Sequence, residues 1–480
     1  MASTYKTPGV YVEEISTLPA SVAPVATAIP AFIGFTEKAD RLGADVTGVP
    51  VRIKSMPEYA QYFGGPELET GISVTVTTTG ENTTVTATDP TAPSRFHMYY
   101  SLKMYFDNGG GPCYICSVGD YDDSITSANL QTGLDAVALE DEPTLLVFPD
   151  AVSIATSIKT QFYDIYKQAL VQCGKLKDRF TILDVYGNTG DIEADSLAFR
   201  NGIGTDNLKY GGAYYPRMKS SLPYQIDESS ITVSHSDDNE ESGTGAYDGV
   251  ALSVLGAAEV DDEGSMVPNP DFNLALYNQV KLAIQGLTVT LPASPIMAGI
   301  YARVDQNRGV WKAPANVSLN TVIKPTIKIS AEDQENMNVH ETGKSINAIR
   351  AFTGKGIMAW GARTLAGNDN EWRYINVRRF YNFAEESIKK ATEFVVFEPN
   401  DANTWVRTKA MIENFLTLQW RAGALAGATP EDAYFVNVGL GTTMTAQDIL
   451  EGRMIIEIGM AVVRPAEFII LRFSHKIQES

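Results

Sequence analysis

Four groups of residues have the types and spacing that chemistry uses. Gly343-Lys344-Ser345 has the ending of a phosphate-binding loop, in which backbone amides and a lysine cradle phosphates. That loop needs a glycine five residues before Gly343, and position 338 is Asn. Without it the backbone cannot wrap a phosphate, and the run reads as a surface loop. Cys113-Tyr-Ile-Cys116 has the spacing of a redox or zinc pair. It falls in a predicted strand, where residues three apart face opposite ways. The chain has 3 cysteines and only 4 histidines, at positions 97, 235, 340 and 475, so a second ligand pair is lacking. Two packed core thiols are the expectation. Gly109-Gly-Gly111 and Gly439-Leu-Gly441 lack the G-x-G-x-x-G order of a dinucleotide loop and read as a helix stop and a tight turn. The acidic run Asp237-Asp-Asn-Glu-Glu241 lacks the alternating ligands and closing Glu of a calcium loop and reads as a solvated stretch. No Ser/His/Asp or Cys/His grouping stands out. No catalytic residue, cofactor or metal is expected, and the chain reads as a non-enzyme.

The elements around these groups are those of an α/β protein. Thr144–Phe148 and Phe180–Val185 are strands, with a helical stripe through Ile154, Ile158, Phe162, Ile165 and Ala169 between them. Strand, helix, strand at this length predicts a parallel pair. Ala28–Phe35 and Cys113–Val118 are further strands. Residues 72–88 alternate around Gly80-Glu81-Asn82 and predict a Thr-surfaced hairpin. Helices are expected over 55–63, 94–106 and 271–284. Two more are expected at 376–394 and after Glu398-Pro-Asn-Asp401, whose acidic, small residues suit an N-cap. Residues 226–248 and Asp261–Ser265 read as exposed acidic loops.

Composition bounds the partners. The chain has 480 residues, enough for two or three domains, with 44% hydrophobic and 20% charged residues, which suits a folded chain. A formal charge of −20 argues against nucleic acid and against anionic membrane surfaces. No apolar run reaches membrane-span length, and the start lacks a signal-peptide core, so membrane insertion is not expected and folding in the cytoplasm is.

The chain ends are the unusual part. Termini are ordinarily polar and loose. Here Met454–His475 reads as two apolar strands joined at Arg464-Pro465, and Thr7-Pro-Gly-Val-Tyr-Val-Glu-Glu-Ile15 is a short strand led by Pro-Gly. Strands of this kind need a sheet to join, which points to exchange between copies. The inserting residues are expected to be Val10, Tyr11, Val12 and Glu13 at one end and Phe468, Ile469, Ile470, Leu471 and Phe473 at the other. Pro8, Gly9, Gly459 and Pro465 are candidate hinges at the roots. Main-chain hydrogen bonds contribute only about 1 kcal/mol net each. Ordering an arm costs about 1–2 kcal/mol per residue. The apolar side chains must therefore tip the balance.

Several segments together resemble the contractile tail sheath family. They are Thr7–Glu14, Gly299-Ile-Tyr-Ala-Arg-Val-Asp-Gln-Asn-Arg-Gly-Val-Trp-Lys-Ala-Pro-Ala-Asn316, Asn376-Val-Arg-Arg379, Val396-Phe-Glu-Pro-Asn-Asp401, Trp420-Arg-Ala-Gly-Ala424 and Val462-Val-Arg-Pro-Ala-Glu-Phe468. They cover both ends and most of 296–475. Ala28–Lys38 is similar to sheaths of phage-tail-like extracellular injection systems in particular.

The resemblance implies a structural subunit that stacks as hexameric rings around an inner tube, linked by strand exchange at both ends. It implies contraction that drives the tube through a target envelope. Implied partners are further copies of the chain, the tube protein, and baseplate and terminator or cap proteins, with paralogous sheath subunits as a further option. Assembly would take place in the bacterial cytoplasm, and the product would be an extracellular or virion-like particle. The implied organisation is an arm at 1–20, an inner domain from 21–55 and 340–453, and an outer α/β domain at 56–339. The outer domain would carry the hairpin insertion 70–92 and the acidic loop 226–265. Residues 454–480 would be a C-terminal strand arm completing the inner domain. Subunits carrying −20 each should repel one another, which makes contraction sensitive to salt. Two other readings remain at this level. One is an α/β enzyme with a doubly wound, nucleotide-binding-like domain, on the strength of 144–185. The other is an adhesin-like module, on the strength of the Thr hairpin.

Overall fold

A computed structural model describes residues 22–257, 259–260, 266–267 and 269–472. The fold is mixed α/β, as its sequence pattern predicts, and its centre is a nine-stranded sheet. In chain order the sheet strands are β1 (Pro30–Gly34), β2 (Val51–Ile53), β5 (Cys113–Ser117), β6 (Leu145–Val147), β7 (Phe180–Asp184), β8 (Gly211–Tyr215), β12 (Val317–Ser318), β14 (Ile346–Phe352) and β15 (Gly356–Ala359). Their order across the sheet is β12-β15-β14-β8-β7-β6-β1-β5-β2. The run from β14 to β5 is parallel, and the outer pairings are antiparallel.

Parallel strands covered on both faces must be apolar throughout, and β1, β5, β6 and β7 are buried at every position. Successive residues feed opposite cores. Ile33, Cys116, Leu146 and Leu183 face one, with helices α3 (Ser127–Val137) and α4 (Thr160–Leu176). Phe32, Cys113, Val147 and Ile182 face the other, with α2 (Met98–Asp107) and α7 (Ser294–Arg308). The cysteine pair is split between the two cores, both thiols free and buried, as strand alternation requires. Gly299 lets α7 cross α2 closely, since a Cβ there would lie 2.5 Å from the Tyr105 carbonyl oxygen.

The hairpin β3 (Ser73–Thr79) and β4 (Asn82–Thr88) forms at the expected place. It gains a third strand, β10 (Val233–Asp237), which pairs parallel with β3. The expected loop over 226–248 is thus partly a strand. Val233 and His235 alternate inward while the acids that follow hide that pattern, and only the β3 edge makes it a strand. Val74, Val76 and Val233 pack under α6 (Leu274–Gln285) as a separate small core. The expected loop Asp261–Ser265 lies outside the described residues. A further three-stranded sheet runs β11 (Thr288–Leu291), β9 (Met218–Pro223), β13 (Val322–Pro325).

The chain divides into two compact units at 25/26, 382/383 and 463/464. These are not the expected boundaries. The central sheet draws β1 and β2 from 21–55, β5 to β8 from 56–339, and β14 and β15 from 340–453, so cuts at 55/56 and 339/340 would open it. Long-range ladder pairing set the division, and a linear reading of the chain does not show it. The smaller unit, 383–463 with 22–25, holds the end of α9 (Ile375–Thr392), α10 (Ala402–Arg421) and the hairpin β16 (Tyr434–Val438) and β17 (Ile456–Met460).

Candidate assembly surface

Asp401 caps α10 by accepting from the Thr404 amide at 3.0 Å, so the acidic entry does what N-cap chemistry predicts. The apolar side of α10, with Met411, Ile412, Phe415 and Leu416, is buried, and so is Val436 of β16. β16 and β17 pair only with each other among the described residues, so each leaves an open edge. Gly459, expected to be a hinge, lies inside β17 directly opposite Phe435. The Phe435 ring covers it, since a Cβ on Gly459 would fall 2.2 Å from that ring. The glycine serves close packing here.

The chain then leaves the hairpin. The Val463 amide donates to Ala424 O at 3.1 Å, and Val462 bridges Leu425. Of the two expected C-terminal strands, the first forms, and the described part of the second, residues 464–472, holds no strand. Among the described residues no strand pairs with them. Pro465 falls at the start of this run, beside the division at 463/464. Phe468, Ile469, Ile470 and Leu471 are 70%, 79%, 78% and 72% exposed. Four consecutive large apolar residues in water are a liability for a monomer and a mark of an interaction site. Phe473 and the expected N-terminal residues Pro8, Gly9, Val10, Tyr11, Val12 and Glu13 lie outside the described residues.

The root of the exposed run is fixed within the larger unit. Glu467 accepts from Arg363 at Nε (2.8 Å) and Nη2 (2.7 Å), from Asn338 Nδ2 (2.7 Å) and from Tyr374 Oη (3.0 Å). Burial would raise the Glu467 carboxyl, but these hydrogen bonds and the Arg363 charge outweigh it and hold the carboxyl below its usual range. The bidentate fork gives the contact a defined geometry. Sequence reasoning did not single out Glu467 as a clamp. The available signal was an acid immediately before a purely apolar run.

Other residues of the matched segments do structural work. Arg379 pairs with Asp305 at 2.9 Å and donates to Thr27 O, and Asn376 Nδ2 donates to Trp311 O at 2.8 Å. Lys344 of the loop-like Gly343-Lys344-Ser345 run points its ammonium at Arg200 O, so it is spent within the fold. Among the described residues no group of three or more His, Cys, Asp or Glu could hold a metal, and no helix is long and apolar enough to cross a membrane.

A model of the phage tail sheath C-terminal domain matches residues 367–476. The contracted-state sheath of the PVC extracellular contractile injection system is 29% identical, with a TM-score of 0.66, covering 99% of each chain. The contracted helical sheath of the anti-feeding prophage is 32% identical, with a TM-score of 0.62, covering 98% of this chain and all of that one. The tail sheath protein of Enterobacteria phage T4 is 26% identical over 114 residues, which are 24% of this chain and 17% of the phage protein. The chain therefore matches less than a fifth of that phage protein's length. The chain belongs to the contractile tail sheath family, a family of structural proteins.

Proposed function

We propose that this chain is the sheath subunit of a contractile particle, stacking as hexameric rings around an inner tube and shortening to drive the tube through a target envelope. The observation that carries the reading is the run Phe468–Leu471, exposed along its whole length and anchored at Glu467. In this reading the run leaves its own molecule at Pro465 and adds a strand to the open hairpin edge at Tyr434–Val438 or Ile456–Met460 of a neighbour. The N-terminal segment with Val10, Tyr11 and Val12 does the same from the other end. The unit 383–463 is the inner, ring-forming part, and the Thr-surfaced hairpin sheet decorates the exterior. Support comes from the family, from the open ladder edges and from the unsatisfied apolar run. Partners in this reading are other copies of the chain, the tube, the baseplate and a terminator, and the particle acts outside the cell that builds it.

Electron microscopy of the full chain tests the reading. Tubes or stacked rings are expected from the natural chain, and dispersed subunits from Ile469→Asp/Leu471→Asp. Removing residues 1–14 should likewise abolish polymer and leave a folded body. Tubes from either variant would overturn the exchange of strands.

A further inference from the structure

Glu467 stands one position before the exposed run, and the socket that grips it is built on the central sheet. Arg363 is only 3% exposed, and its amide donates to Asn347 Oδ1 of β14 at 2.8 Å. Asn347 Nδ2 donates in turn to Ala213 O of β8 at 3.0 Å and to Arg363 O at 2.8 Å. Tyr374 pairs with Arg363 in an antiparallel bridge. Asn338 closes the helix Ala331–Asn338, whose Met337 is buried. Side chains from separate segments, each seated in the fold, thus converge on one carboxylate. The guanidinium fork meets that carboxylate at two nitrogens, which fixes its position as well as its charge. Sites held by rigid elements are precise.

Beyond Glu467 the constraint stops. Among the described residues no hydrogen bond or ion pair reaches Phe468–Leu471. A fixed residue directly before a free strand decides which face that strand presents. Side chains alternate along a strand, so Ile469, Leu471 and, by sequence, Phe473 share the side of Glu467, and Phe468, Ile470 and Arg472 take the other. The first set is apolar throughout, whereas the second ends in a charge. A slip of one residue exchanges the two sets and carries Arg472 to the side that Leu471 and Phe473 should fill. Four large apolar residues in a row give little protection against such a slip, since either side of Phe468–Leu471 is apolar. The guard must lie outside the run, and the socket at Glu467 is placed to supply it.

We infer that Arg363, Asn338 and Tyr374 are positioning residues for assembly: by pinning Glu467 they set the register of the donated strand and commit Ile469 and Leu471 to the core of the neighbouring copy. The pin acts on the exchanged strand proposed above and makes the donor, not the acceptor, the source of the register. The test compares the lowest protein concentration that yields tubes, read by sedimentation and micrographs, for the full chain and three insertion variants, each checked for folding by its thermal melt. One alanine inserted between Ala466 and Glu467 leaves the pin and everything after it in place, and should change that concentration by less than about threefold. One alanine inserted between Glu467 and Phe468 turns the run over and should raise it by at least about tenfold. Two alanines at that same place return Ile469 and Leu471 to the Glu467 side and should recover most of the loss. Equal effects of the single insertions before and after Glu467, or a two-alanine variant no better than the one-alanine variant, overturn the pin. If the insertion before Glu467 does not fold, the comparison of one alanine with two decides. Tubes from Ile469→Asp/Leu471→Asp, or none from the natural chain, remove the exchange and the pin with it. Loss of tubes in that variant, with both single insertions alike, removes the pin alone.

Discussion

Leu145-Leu-Val147 and Phe468-Ile-Ile-Leu471 are nearly interchangeable as strings, and the fold treats them in opposite ways. The first is a strand with a parallel neighbour on each side and helices over both faces, and all three residues are buried. The second pairs with no strand among the described residues and is exposed. The difference lies in the availability of a ladder, since an apolar run becomes a strand only where main-chain partners exist. In the central sheet the chain supplies its own partners. At Phe468–Leu471 it supplies an anchor at Glu467 and, among the described residues, no strand partner.

The sharpest way to break this comparison is to truncate one member of each region. Ile182→Ala, in the middle of β7, should cost about 2–5 kcal/mol in chemical denaturation of the unassembled chain. Ile470→Ala should leave that stability within about 0.5 kcal/mol and instead lower the extent of assembly seen in micrographs. Equal losses of monomer stability would mean that the tail is packed in its own subunit.

Next in size is the anchor. Arg363 and Glu467 have side chains only 4% and 21% exposed. Glu467→Gln leaves a buried guanidinium short of its counter-charge and should cost about 3 kcal/mol. The loss should also depend on pH. The folded carboxyl lies below its unfolded value, so the contribution is present above about 4.5 and is lost as pH falls through the folded value. Denaturation midpoints of the natural chain and the variant should therefore converge on acidification.

A smaller and opposite effect is expected in the sheet. Burial lifts the Asp184 carboxyl to about 6, against hydrogen bonds from Ser294 that lower it. The folded state then holds the proton more tightly than the unfolded chain. The contribution is present below about 4 and is lost as pH rises through about 6. Thermal melts should show the natural chain losing ground to Asp184→Asn between about pH 4 and about pH 7. The smallest effect is that of salt on assembled protein. Raising salt from about 0.05 M to about 0.5 M shortens the screening length, and repulsion between subunits of charge −20 should shift the urea needed to trigger contraction. An unchanged threshold would remove charge from the account.

Period-2 and period-3.6 patterns were legible where an element satisfies itself locally. The Thr hairpin, the β6–α4–β7 unit, the split cysteine pair and the Asp401 cap all followed from spacing. β10 was not legible, because its partner β3 lies far away in the chain. Neither were the unit boundaries, since the central sheet closes over strands from three distant stretches. Among the assembly residues, Phe468 to Leu471 stood out by composition. The clamp on Glu467 did not, because Asn338, Arg363 and Tyr374 converge only after folding.

The amino-acid order by itself determined most of the strands and helices, the lack of a recognised motif for phosphate, metal or acyl chemistry, and the consecutive apolar run Phe468–Leu471. Tertiary structure alone decided that Gly459 is covered by a ring and that Glu467 is gripped by an arginine. Local preference acts over a few residues and can be read along the chain. Burial and pairing act across hundreds of residues and exist only once the chain has closed on itself.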